Sequence, residues 1–193
     1  MSNLIEFNYF ISKTDPHIIC LTKTWLLVTF NIKFSGYKIY RSDRFGLNPR
    51  GGGVAILIKE NFTSKQCKSI IPYQNGHLEN IRVEFFIENT WCKICNLYNS
   101  HNIISENEFS YYFDSLVRNS IFTGDFNSHH FLWSDRNSYS NYSGRSLAET
   151  INSNLHFNLL FPPGTPIYFS PFISNYTSTI HLVFGSGKFS TLD

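Results

Sequence analysis

The sequence predicts a layered α/β sandwich with mixed sheets. Runs of strand length, rich in β-branched and aromatic residues, recur along most of the chain. Only three stretches carry helical spacing, and they are too unevenly placed for a regularly alternating parallel fold. The core material is ample: 42% of the 193 residues are apolar, with 19 Phe and 11 Tyr, and only 16% are charged. That composition predicts one globular domain over residues 1–193 and excludes a disordered chain.

The elements follow in order. Leu4, Phe7 and Ile11 recur at helical spacing, and KTDP ends that first helix before Pro16. HIICLTKTW is a β-branched run that reads as a strand, followed by YKIYRSD and GVAILIK. In IRVEFFI, Ile81, Val83, Phe85 and Ile87 alternate with Arg82 and Glu84. The turn ENT then leads into WCKICNLY, which predicts an antiparallel hairpin. Ser105 and Glu108 form a capping-box pattern ahead of Phe109, Tyr112, Phe113 and Leu116, a second helix. SIFTGDF reads as a strand, and Ser134 to Ser143 as a long polar surface loop. Leu147, Ile151 and Leu155 line one face of a third helix. FNLLF, the turn PPGTP, IYFS and STIHLVF complete the strand-like segments.

Several function classes drop out. The longest aliphatic run, Val54 to Ile58, is far short of the ~20 residues that span a bilayer, and no basic-then-apolar leader opens the chain. The four cysteines (Cys20, Cys67, Cys92, Cys95) are sparse and mostly in apolar contexts, which predicts a reduced, intracellular protein of nucleus or cytoplasm. Cys92 and Cys95 have CxxC spacing, but a strand points positions i and i+3 to opposite faces, and no second pair exists to complete a zinc site. A net charge of +2 permits a polyanionic partner without specifying one.

The stretch IFTGDFNSHH delivers Asp125 and Asn127 to a loop at a strand end. Alone, GDFN reads as an Asx turn. Its company changes that reading: ICLTKTWL, GYKIYRSDR, RGGGVAILIK, ICNLYN, FTGDFNSHHFLW and STIHLVF, in that order, resemble the apurinic-type endonuclease domain of non-LTR retrotransposons. That domain belongs to the endonuclease/exonuclease/phosphatase superfamily, and the resemblance runs from about Ile18 to Phe184. It implies a four-layered α/β/β/α sandwich and a Mg²⁺-dependent nuclease that nicks DNA to prime reverse transcription. It gives Asp125 the role of general base toward the attacking water, Asn127 that of orienting the water or the phosphate, and Tyr98 that of a hydroxyl contact to the phosphate. From its residues alone Tyr98 reads as a strand-end aromatic with its hydroxyl in water.

The chain departs from that pattern at chemically decisive places. Lys23 stands where the resemblance implies a glutamate that anchors the metal. An ammonium only donates, so Lys23 is expected to repel Mg²⁺ or to pair with Asp125, and the metal ligands stay unknown. His181 stands where an aspartate is implied; it is read as catalytic or as merely structural. The closing Asp-His motif has no counterpart before Asp193, and the opening strand with its asparagine has none ahead of the first helix. The expectation is a domain lacking terminal strands, incomplete at both ends. RGGGVAI lacks the ending of a phosphate-cradling loop and leads into a strand, so Gly51 to Gly53 read as a permissive turn. Arg41, Arg44 and Arg50 read either as contacts to a nucleic-acid backbone or as solvated arginines. The functional expectation is a DNA endonuclease with impaired catalysis and weak or residual DNA binding. Its alternatives are a non-catalytic retrotransposon remnant that binds nucleic acid and a superfamily phosphatase acting on a small phosphoester.

Overall fold

Val54, Ala55, Ile56, Leu57 and Ile58 are all fully buried, which a strand achieves only when both of its faces are covered. The computed structural model, which describes residues 2–44, 51–68, 78–115, 118–134, 139–154, 156–165, 168–169 and 177–191, shows what covers them. In chain order the elements are α1 (Ser2–Thr14), β1 (Ile18–Thr22), β2 (Tyr37–Ser42), β3 (Val54–Lys59), β4 (Ser64–Gln66), β5 (Leu78–Ile87) and β6 (Thr90–Asn99). Then come α2 (Glu106–Asp114), β7 (Ser120–Asp125), α3 (Tyr142–Ser153), β8 (Phe157–Leu159), β9 (Tyr168–Phe169), β10 (Thr177–Ser178) and β11 (His181–Ser186).

Two sheets stack between helices. β1, β3 and β2 form a three-stranded antiparallel sheet with β3 in the middle. The second sheet runs β4-β5-β6-β7-β11-β8, mixed because β6 and β7 pair in parallel across the α2 connection. Phe7 and Ile11 of α1 pack on Ala55 and Leu57, the outer face of the small sheet. Between the sheets, Val54, Ile56 and Ile58 meet Ile81, Val83, Phe85, Cys92 and Ile94. On the far side Phe109, Phe113 and Leu147 of α2 and α3 cover Leu97, Phe122 and Phe184. The order is therefore α/β/β/α, with Phe113 edge-on to Phe122 at 4.4 Å between ring centroids.

Local rules explain most of the elements. The Ser105–Glu108 capping box is formed: the Glu108 amide donates to Ser105 Oγ at 3.3 Å and the Ser105 amide to Glu108 Oε2 at 2.9 Å. The β5–β6 hairpin closes on Glu88 and Asn89, both at positive φ (47° and 59°), the turn whose twist suits paired strands. Cys92 and Cys95 do face apart, into the inter-sheet and helix-side cores respectively. Other expectations are corrected. The helix read from Leu147 starts earlier, at Tyr142, inside the segment taken for loop, because Asn141 Oδ1 accepts from the Gly144 amide and caps it. STIHLVF is not one strand but β10 and β11, separated at Thr179 and Ile180. Leu116 and Leu155 lie outside the described side chains.

A buried amide ties the two sheets together. Asn96 on β6 donates to the carbonyls of Leu21 (2.8 Å) on β1 and Ala55 (3.0 Å) on β3. Among the described residues no helix is long and apolar enough to cross a membrane.

Candidate functional site

Strand register builds a row of polar side chains across the large sheet. Glu79 on β5 pairs with Tyr98 on β6, Tyr98 with Asp125 on β7, and Asp125 with His181 on β11. Alternation sends all of them toward the small sheet: Tyr98 is in phase with Cys92 and Ile94, Glu79 with Ile81 and Val83, and the neighbours Leu97, Phe122, Leu182 and Phe184 point to the helices. One glycine makes the row possible. A Cβ at Gly124, where φ is +141°, would lie 1.9 Å from the Leu97 carbonyl oxygen, so only glycine lets β7 lie this close to β6 beside Asp125.

The small sheet supplies the opposing charges. Lys23, just past β1 with φ +54°, brings its Nζ to 2.7 Å from Asp125 Oδ2 and to 5.2 Å from the centre of the Tyr98 ring. Asp125 is fully buried, whereas 42% of the Lys23 side chain is exposed. Asp125 Oδ2 takes no aligned hydrogen bond from the described residues, so its stabilisation is the ammonium charge, with His181 Nε2 farther off at 3.7 Å. Arg44, beyond β2, lies over the other flank of the site: its guanidinium is 5.8 Å from the Tyr98 ring centre, and its Nε donates to Glu79 Oε1 at 2.6 Å. Glu79 Oε2 accepts the Gly53 amide at 2.5 Å.

The glycines before β3 therefore do more than permit a turn. A Cβ on Gly52 would strike Arg44 and Glu79, and one on Gly53 would come within 2.4 Å of Thr24 Oγ1. The carbonyls of Gly53 and Gly52 accept the amides of Thr24 (3.1 Å) and Trp25 (2.9 Å), which fixes the segment carrying Lys23.

Burial, moderated by these charges, sets the protonation states around them. Burial raises the Tyr98 phenol above its ordinary value, with Lys23 and Arg44 opposing, so it remains an O–H donor at neutral pH. Burial likewise lowers His181, against the pull of Asp125 and with help from Lys23, and leaves a neutral imidazole. Lys23 with Asp125, and Arg44 with Glu79, thus form two charge pairs on either side of one neutral phenol.

The remaining expected residues are placed as follows. Asn127, at φ +46°, donates its carboxamide to the Asn99 carbonyl (2.6 Å), while its amide meets Asp125 Oδ1 at 3.2 Å. Its side chain holds the loop after β7 against β6. Arg41 donates to the carbonyls of Phe30 (2.6 Å) and Leu27 (2.8 Å) and to Asp43 Oδ2 (2.9 Å), pinning the loop that follows Lys23. Arg50 lies outside the described residues. Glu79 escaped the sequence reading, although the alternation of Ile81, Val83 and Phe85, continued two residues back, points it inward.

The donor set does not fit the divalent cation that the resemblance implies. Asp125 Oδ2 faces an ammonium, both Glu79 oxygens are taken by Arg44 and Gly53, and no group of three His, Cys, Asp or Glu among the described residues is placed to hold a metal. The arrangement offers instead a half-exposed cation on a buried carboxylate beside a phenolic donor.

Comparison with known proteins agrees with this architecture. The chain is similar to the endonuclease domain of TRAS1, a telomere-specific non-LTR retrotransposon, at 12% identity and a TM-score of 0.71, over 95% of this chain and 79% of that one. It is similar to an AP endonuclease from Archaeoglobus fulgidus at 14% identity and a TM-score of 0.61, over 93% and 79%. The 3′ phosphatase NExo from Neisseria, solved with a product DNA hairpin, aligns at 13% identity and a TM-score of 0.61, over 98% and 83%. At such identities the likeness is one of fold. A search of curated proteins gives no match. The profile of the family described as Endonuclease-reverse transcriptase matches residues 92–192, slightly more than half of the 193 residues and the part that carries Tyr98, Asp125, Asn127 and His181. The chain belongs to this family, within the endonuclease/exonuclease/phosphatase superfamily.

Proposed function

We propose that this protein is a nucleic-acid-binding member of the endonuclease branch in which Mg²⁺-dependent phosphodiester cleavage is impaired. One observation carries the reading: the 2.7 Å ion pair between Lys23 and Asp125. A nuclease centre of this type needs a carboxylate that receives a proton from water and a cation that neutralises the developing phosphorane charge. Here the buried oxygen available for the proton is capped by an ammonium, and that ammonium fills the space from which a second carboxylate would recruit metal. What remains suits binding: Tyr98 offers its hydroxyl to a phosphate, Lys23 offers its charge, and Asn127 and His181 border them. DNA is the ligand that the family's chemistry favours, and an ancestral role in nicking target DNA for reverse transcription accounts for the layout.

The test is purified protein incubated with supercoiled plasmid in Mg²⁺ or Mn²⁺, alongside a gel-shift measurement on duplex DNA. No nicking above buffer together with a retarded DNA band is expected. Metal-dependent nicking that Asp125→Ala abolishes would restore the working endonuclease. Turnover of a soluble phosphoester without any action on DNA would make the protein a phosphatase of the superfamily.

A further inference from the structure

We propose that the Lys23 ammonium stands in for a divalent cation, so that this centre binds a nucleic-acid phosphate without metal. The inference rests on the nucleic-acid-binding reading above and adds to it how the phosphate is held. Three observations converge on Lys23. Its Nζ lies 2.7 Å from the fully buried Asp125 Oδ2 and 5.2 Å from the centre of the Tyr98 ring, so its charge stands directly against the buried carboxylate. Its position is built rather than accidental: φ is +54°, a conformation that costs a lysine energy, and the next two amides are fastened to Gly53 and Gly52. Its side chain is 42% exposed, so the charge reaches the surface while its counter-charge stays buried.

At position 23 one ammonium carries the charge that a carboxylate with its bound divalent cation would carry, with the cation now covalently attached; the neutral His181, where an aspartate is implied, leaves the row one unit more positive still, which favours an anion. An ammonium binds a phosphate oxygen as a point charge with strong, charge-assisted hydrogen bonds. Tyr98, only 5% exposed, backs the ammonium with its ring and keeps its phenol protonated. Trp25, two residues on and 61% exposed, presents a ring on which a base can stack.

The experiment measures duplex-oligonucleotide binding by fluorescence anisotropy in EDTA and in Mg²⁺, for wild type, Lys23→Met, Lys23→Arg and Lys23→Glu, each checked by circular dichroism for retained fold. It is paired with calorimetric titration of MnCl₂ into the DNA-free proteins. Wild type is expected to bind duplex equally well in both buffers and to take up no Mn²⁺. Lys23→Arg should bind like wild type, and Lys23→Met should bind about tenfold or more weakly in EDTA, as expected for losing one phosphate-facing charge. Lys23→Glu, which places a carboxylate beside Asp125, should lose binding in EDTA, take up Mn²⁺ and recover DNA binding with it. Wild-type DNA binding that requires Mg²⁺, wild-type Mn²⁺ uptake equal to that of Lys23→Glu, or Lys23→Met binding as tightly as wild type would each overturn the inference while leaving DNA binding intact. Absence of DNA binding in every buffer would instead overturn the proposed function itself.

Discussion

Glu79 is the buried charge on which the geometry of the row depends, and neutralising it is a demanding check. In Glu79→Gln the shape is kept, but one terminal atom becomes an NH₂. That group must face either the Arg44 guanidinium or the Gly53 amide, and both are donors. One buried donor then loses its acceptor, at ~1–3 kcal/mol. Arg44, whose side chain is only 16% exposed, also loses its counter-charge. Removing one partner of a buried pair costs ~3–5 kcal/mol. These overlap, and the partial exposure of Arg44 trims them, so the expected loss is ~3 kcal/mol. Urea unfolding should show a lower midpoint at unchanged slope, and thermal unfolding a Tm lower by ~6–12 °C for a chain of this size. Pairing the substitution with Arg44→Met isolates the coupling: the double variant should be more stable than Glu79→Gln alone, because no guanidinium then faces the position of the lost Glu79 charge. A loss under ~1 kcal/mol for Glu79→Gln, or strict additivity in the cycle, would refute the claim that this pair is a buried, mutually dependent unit.

Other substitutions probe other layers. Gly124→Ala forces a methyl against the Leu97 carbonyl at an unfavourable φ, and should cost about 3 kcal/mol in urea unfolding; a loss below ~1 kcal/mol would mean that β6 and β7 have slack. Burial lowers the imidazoles of His129, His130 and His181 below 6.5, so the unfolded chain takes up protons first. Their contribution to stability is complete above about pH 6.5 and is lost as pH falls through the lower folded values. The urea midpoint should therefore drop from about pH 7.5 to about pH 5.5, less steeply in His130→Gln, and a flat profile would contradict the burial of these rings. Burial also pushes the Cys20 thiol up to about 12 and Cys95 higher still. Iodoacetamide at about pH 8 should leave both unmodified in the folded protein and alkylate them in urea, as peptide mass mapping would report; modification of Cys95 in the folded state would disprove its buried setting.

What the sequence revealed follows the range of the interactions involved. The capping box, the strand alternation and the hairpin turn depend on residues within a few positions, and each appears where its pattern stands. Pairing between distant segments is a different matter. The parallel register of β6 and β7, which sets Tyr98 beside Asp125, depends on Gly124 fitting against Leu97, a contact that no local pattern encodes. Glu79 was hidden for a related reason. A lone carboxylate at the start of an apolar strand looks solvated until Arg44 and Gly53 arrive from the other sheet. Arg41 shows the same dependence on distant partners: its fork is satisfied by the carbonyls of Leu27 and Phe30 and by Asp43. The Asn127 carboxamide likewise donates to the Asn99 carbonyl, a partner on another strand. Lys23, Tyr98, Asp125 and His181 are reached by both routes, since the ordered motifs group them and the strand geometry brings them side by side.

The Lys23–Asp125 pairing explains how a fully buried carboxylate is held in the row. A carboxylate with no exposed surface is tolerable only with a cation at hand, and Lys23 is the cation at hand for Asp125. The dependence can be measured in one direction. Lys23→Met leaves Asp125 buried and unneutralised, and should cost ~1–2 kcal/mol, less than a fully buried pair because Lys23 is partly in water. Adding Asp125→Asn removes the stranded charge, and the double variant should regain most of that loss in urea unfolding. If Lys23→Met is as stable as wild type, Asp125 does not need the ammonium. The pair would then be a surface contact, and the order of the row would have to come from the Asn96 tie between the sheets and the Arg44–Glu79 pair alone.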